Sequence, residues 1–169
     1  PCCALVVDLM FHSISGAPSG TQAPTAPADP AVSARQALAE SPRVAVETDT
    51  VEGSISLRGA RIDDLVLKRY REDLDETSAP IRLLRPVGAP KSYYVEFGWV
   101  GSDGVTVPNS ETLWTSDDSR LTPDSPVTLR WDNGQGQRFE IAMAIDRDYM
   151  ITIDQKVINS TEAAVTVYP

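Results

Sequence analysis

From Arg43 onward, apolar side chains recur at every second position, the signature of strands that bury one face. Val44 and Val46 alternate with Ala45 and Glu47, and Ile55 and Leu57 with Ser54, Ser56 and Arg58. Tyr93, Val95, Phe97 and Trp99 form one row, with Tyr94, Glu96 and Gly98 opposite. Later rows are Val127, Leu129 and Trp131; Phe139, Ile141, Met143 and Ile145; Tyr149, Ile151 and Ile153; and Val165 with Val167. A helix repeats at about 3.6 residues and would scatter these side chains around its axis. Short polar breaks separate the later rows: Asn133-Gly134-Gln135-Gly136, then residues 146–148 and 159–163. Strands joined in this way form an antiparallel meander, and one apolar face per strand calls for a second sheet, hence an all-β antiparallel sandwich. Its core is expected to hold Val95, Phe97, Trp99, Leu129, Trp131, Phe139, Ile141, Ile151 and Ile153. Residues 106–126, rich in Pro, Ser, Asp and Thr, read as a long irregular loop around Leu113 and Trp114.

The first 42 residues follow a different pattern. Residues 1–14 are largely apolar but are interrupted by Asp8 and His12. They fall short of the roughly 20 apolar residues of a spanning helix. They read either as an unstructured terminus or as the remnant of a membrane anchor. Pro1 in place of Met marks a processed form or a fragment. Residues 15–42 place Pro18, Pro24, Pro27, Pro30 and Pro42 among Gly, Ala, Ser and Thr, the composition of a disordered linker. Within it, residues 32–40 allow one or two helical turns. The compact domain is residues 43–169, and its last residues lie inside or just after a strand, as if a larger sheet had been cut.

Charge and residue types narrow the chemistry. A formal net charge of −9 repels phosphate, which argues against nucleic acid and anionic lipid as partners. Cys2 and Cys3 are the only cysteines and His12 the only histidine, so residues 43–169 contain neither a disulfide framework nor a His-based triad or two-histidine metal site. Three carboxylate groupings are candidates for acid–base work: Asp63-Asp64; Asp73, Asp75 and Glu76; and Asp117-Asp118. All three read better as solvated turns, and the Asp-x-Asp spacing lacks the Gly and distal Glu of a calcium loop. Gly134-Gln135-Gly136 lacks the third glycine and the helix of a dinucleotide fingerprint, and Asn159-Ser160-Thr161 reads as a turn. Tyr93, Tyr94, Phe97 and Trp99 would either line a cleft or pack the core; only Tyr94 points off the apolar row. The expectation is a protein with no catalytic, cofactor or metal residues and no identifiable partner-binding set.

Several segments follow one another in a set order: Gly59-Ala60-Arg61-Ile62-Asp63-Asp64-Leu65, Ile81-Arg82-Leu83-Leu84 and Tyr93-Tyr94-Val95-Glu96-Phe97-Gly98-Trp99. Thr112-Leu113-Trp114, Pro126-Val127-Thr128-Leu129-Arg130-Trp131-Asp132-Asn133-Gly134 and Val165-Thr166-Val167-Tyr168-Pro169 continue the series. In their order and spacing these segments resemble the periplasmic domain of the YidC family of membrane protein insertases. The resemblance implies a β-supersandwich similar to galactose mutarotases, tethered to the bacterial inner membrane and facing the periplasm. It also implies an accessory role beside membrane helices that insert and help fold inner-membrane proteins. Nascent membrane proteins and Sec translocon components are then the implied partners. No counterpart of those membrane helices, or of their functional arginine, stands in this sequence. The alternative is a non-catalytic carbohydrate- or peptide-binding sandwich, with Tyr94 or Trp114 as the stacking surface. A mutarotase-type reaction is disfavoured because such a site uses histidine, which residues 43–169 lack.

Overall fold

The structure, a computed structural model, describes residues 30–102 and 104–169. The expectations for residues 1–14 and for the first half of the linker lie outside the described residues. In the second half, helix α1 (Pro30–Ala39) stands where residues 32–40 allowed one or two turns, and it begins two residues earlier. Pro30 opens the helix with a φ already suited to it, and four alanines favour its continuation.

Eleven strands follow: β1 (Arg43–Glu47), β2 (Val51–Ser56), β3 (Arg61–Arg71), β4 (Pro80–Leu84), β5 (Val100–Gly101), β6 (Thr115–Ser116), β7 (Arg120–Leu121), β8 (Val127–Asp132), β9 (Gln137–Ile145), β10 (Ile151–Asn159) and β11 (Val167–Tyr168). One sheet runs β4-β3-β2-β1-β7, a second β10-β9-β8-β6, and β11 pairs with β5 in a small ribbon. Val44 and Val46 on β1, Val51 and Ile55 on β2, and Leu65 on β3 face Val127 and Leu129 on β8 and Phe139, Ile141 and Met143 on β9, in one continuous core. The fold is the expected antiparallel all-β sandwich, and β1–β7 is a parallel exception.

The alternating rows of the β8–β9–β10 meander pair in register from Val127↔Met143 to Asp132↔Arg138 and from Ile151↔Ile145 to Asn159↔Gln137. Its turns are built by side chains. Asn133 Oδ1 accepts the N–H groups of Gln135 and Gln137 at 2.8 and 3.1 Å. Asp146 Oδ1 accepts those of Asp148 and Met150 at 2.7 and 2.8 Å. In both turns a short carboxyl or amide side chain substitutes for a backbone acceptor, which is why these residue types mark reversals.

Other expectations need correction. Of the nine foreseen core residues, Trp99, Leu129, Phe139 and Ile141 are buried; Phe97, Trp131, Ile151 and Ile153 are half-buried against the core; and Val95 is 40% exposed. The row from Tyr93 to Trp99 is not a strand. It touches the sheet only through the bridges Arg85↔Tyr93 and Ile62↔Val95 and then leaves it. Alternation there reflects an extended chain lying on a sheet edge, which shares the period of a strand without its ladder. Val167 does not continue the meander: β11 crosses to β5. Tyr149 stands in the β9–β10 turn at φ 85°, with its ring 5.9 Å from Tyr70. Residues 106–126 hold β6 and β7, and Trp114 is buried at 2% exposure, stacked 6.0 Å from Trp99. The eleven-residue β3 and its partner β4 were not foreseen, because their apolar positions are broken by Asp63-Asp64.

Candidate functional site

Asp63 and Asp64 were expected in a solvated turn, but they lie inside β3 at 4% and 8% exposure. The pairing with β2 explains how two adjacent carboxylates come to share a face. Ser54 pairs with Asp64 and Ile55 with Ile62, which leaves Asp63 as the extra residue of a β-bulge. A strand sends neighbouring side chains to opposite faces, and a bulge breaks that rule at one point. Both carboxylates therefore turn away from the core, onto the outer face of the first sheet. Gly53 permits the close approach. A Cβ there would overlap the Asp64 carbonyl oxygen and leave under-normal spacing to Leu65 Cα, at 3.0 Å.

Each carboxylate meets its own guanidinium. Asp63 is paired with Arg43 and Asp64 with Arg82. Ser54 joins the two pairs: its hydroxyl donates to Asp64 Oδ2 at 2.9 Å and accepts from Arg43 Nε at 2.8 Å. The result is a chain Arg82–Asp64–Ser54–Arg43–Asp63 across four strands. Such a network holds strands in register. It offers neither a free carboxylate for proton transfer nor an open set of oxygens for a cation. Among the described residues, no group of three His, Cys, Asp or Glu side chains comes together that would hold a metal ion.

Beside this network lies a cleft of about 320 Å³ between the end of α1 and the outer face of the sheet. Arg43, Arg58 and Arg61 line it, together with Glu40, Asp63 and Glu111. Arg61 is 9% exposed, and its guanidinium carbon sits 5.8 Å above the ring of Tyr94. Tyr94 itself is 41% exposed, much like its neighbour Val95 on the apolar row at 40%, so alternation does not set the two apart here. Trp114, the other stacking surface of the sugar-binding alternative, is buried and unavailable to a ligand. The arginines of both features escaped the sequence reading. Their signal was two adjacent acids interrupting an apolar strand, with a glycine in the neighbouring strand.

The remaining candidates do not converge. Asp73, Asp75 and Glu76 lie in the β3–β4 turn, where the Thr77 N–H and hydroxyl, at 2.9 and 2.8 Å, hold the Asp75 carboxyl below its ordinary value. Asp117 and Asp118 part company. Burial pushes the Asp117 carboxyl up, but the Thr128 N–H at 2.8 Å and the Arg130 guanidinium at 3.3 Å outweigh it and hold the group below its ordinary value. Asp118 accepts the Ser119 N–H at 2.6 Å and shapes the turn into β7. Gly134-Gln135-Gly136 is the β8–β9 hairpin loop, and Asn159 Oδ1 closes a turn on the Thr161 N–H at 3.2 Å.

Residues 43–169 match the family described as YidC periplasmic domain. The chain is 48% identical over 153 residues to a protein of Methylobacterium radiotolerans named Membrane protein insertase YidC, covering 90% of this chain and 25% of that protein. It is 50% identical over 130 residues to the protein of the same name from Acidiphilium cryptum, covering 76% and 22%. With the one from Bradyrhizobium diazoefficiens it shares 48% over 145 residues, covering 84% and 24%. The chain thus spans about a quarter of the length of these curated relatives. The match over residues 43–169 and these identities place the chain in the YidC periplasmic domain family.

Proposed function

We propose that this chain forms the periplasmic part of a bacterial inner-membrane protein insertase and acts there by contact, without covalent chemistry. Its implied partners are nascent inner-membrane proteins and components of the Sec translocon, and its role is accessory to the membrane helices that carry out insertion. The observation that carries this reading is the family match over residues 43–169. The chemistry of the described residues is consistent with it. The bulged carboxylates are engaged by arginines, so the outer face is built to hold shape. No helix among the described residues is long and apolar enough to cross a membrane. Sheltering a client's polar segment at bilayer depth requires membrane-embedded structure, because backbone and charged groups in lipid must be satisfied internally. Insertion therefore falls to other parts of the protein.

The test is complementation of an insertase-depleted bacterial strain. The full-length protein is expected to restore growth and insertion of a client, and residues 1–169 alone to restore neither. Growth and client insertion supported by this chain alone would overturn the division of labour.

A further inference from the structure

In the cleft between α1 and the outer face of the first sheet the charges balance in number but not in pairing. Three guanidinium groups and three carboxylates line it. Arg43 is taken by Asp63. Arg58 reaches Glu111 at 3.5 Å, a pair at the open rim with side chains 41% and 73% exposed. Glu40 is exposed at the end of α1 and makes no ion pair among the described residues. Arg61 is the buried cation of the set. Its Nε donates to the Arg58 carbonyl at 3.3 Å, its guanidinium carbon lies 5.8 Å from the centre of the Tyr94 ring, and among the described residues no carboxylate is paired with it. The two terminal nitrogens of Arg61 have no hydrogen-bond partner among the described residues and are not shut off from solvent, so they stand open in the cleft to a planar, two-oxygen acceptor.

From this geometry we infer that the cleft is a binding site for a single carboxylate carried by a partner polypeptide, held by Arg61 in a two-pronged hydrogen bond. The ring of Tyr94 lies within cation–π reach of the guanidinium, and Val87 on the cleft wall offers apolar contact to the residue bearing the acid. A volume of about 320 Å³ admits one or two residues of an extended chain. A carboxylate is favoured over a phosphate by charge. Asp63, Glu111 and Glu40 stand around the site and the chain carries −9 overall, so a dianion meets more repulsion than a monoanion. Arginine also prefers this role to lysine, whose point charge lacks the fork.

The experiment is a titration of the 15N-labelled chain, followed by NMR of the Arg61 Nε–H and of the backbone N–H groups of residues 58–63. The probes are acetyl-Ala-Glu-Ala-amide, its Gln counterpart and inorganic phosphate. Saturable shifts with the Glu peptide are expected at about millimolar affinity, suppressed by high salt and absent with the Gln peptide. Arg61→Lys should weaken binding roughly tenfold, because the fork is lost while the charge stays. Tyr94→Ala, at a half-exposed position, tests the site separately should the Arg61 variant fold poorly; it should weaken binding several-fold by removing the ring beside the guanidinium. Three results would overturn the assignment: no saturable shift with the Glu peptide, equal shifts with the Gln peptide, or tighter binding of phosphate. Unchanged affinity in the folded Tyr94→Ala chain would do the same.

Discussion

At the level of single residues, burial decides what a charge contributes. Arg43 and Asp63 have side chains 13% and 5% exposed, whereas Arg120 and Glu47 are paired at 58% and 55%. Removing one member of a buried pair strands its partner in a poorly solvated place and costs about 3 kcal/mol. An exposed pair gives less than about 1 kcal/mol, because water already screens it. Asp63→Ala should therefore lower unfolding stability in urea by about 3 kcal/mol and Glu47→Ala by under about 1 kcal/mol. Equal losses would mean that the outer-face network carries no special weight. Asp117 supplies a pH dependence. Its folded carboxyl lies below the ordinary value of 3.8, so the native state binds fewer protons than the unfolded chain just under that pH. Its contribution is complete above pH 3.8 and is lost as pH falls through the lower folded value. In Asp117→Asn that acid-limb dependence should shrink, and a carboxyl-carbon NMR titration of the parent chain should place the Asp117 midpoint below 3.8.

Among the elements, β3 shows how local patterning and sheet geometry combine. Its apolar residues Ile62, Leu65 and Leu67 face the core, although two acids stand between the first and the second. A regular strand would send one of those acids inward. The bulge opposite Ser54 and Ile55 absorbs the extra residue and keeps both outside. Gly53 is the residue that makes the close approach of β2 to β3 feasible. Gly53→Ala should destabilise the fold by about 1–3 kcal/mol through overpacking against the Asp64 backbone. Gly98→Ala, where a Cβ meets nothing within 4 Å, should stay within about 0.5 kcal/mol. If the two variants melt alike in urea, the bulge does not depend on that glycine. The hairpins at Asn133 and Asp146 are simpler. Each turn is closed by the side chain of its own first residue, so they were legible from short polar runs alone.

Across the described molecule, one core binds the two sheets, and none of the described α1 side chains, those of residues 34–39, belongs to it. Removing residues 1–39 should cost less than about 1 kcal/mol, the range typical of changes away from buried contacts, and leave a single cooperative urea transition. A loss of several kcal/mol or a second transition would show that α1 is integral to the fold. The period-two rows by themselves determined the class of the fold, the β8–β9–β10 meander and the inward placement of Leu129, Phe139 and Ile141. Those features follow from nearest-neighbour pairing and from which face of a strand is greasy, and both are written locally in the chain. The burial of Asp63, Asp64 and Arg61 was decided only by the tertiary structure. So were the parallel pairing of β7 with β1, the crossing of β11 to β5 and the exposure of Val95. The energy of each depends on which distant segment arrives alongside: Arg43 for Asp63, Arg82 for Asp64, Tyr94 for Arg61. A charge or an edge residue carries no local mark of the partner that will cover it, and so its fate is set only once the sheets have met.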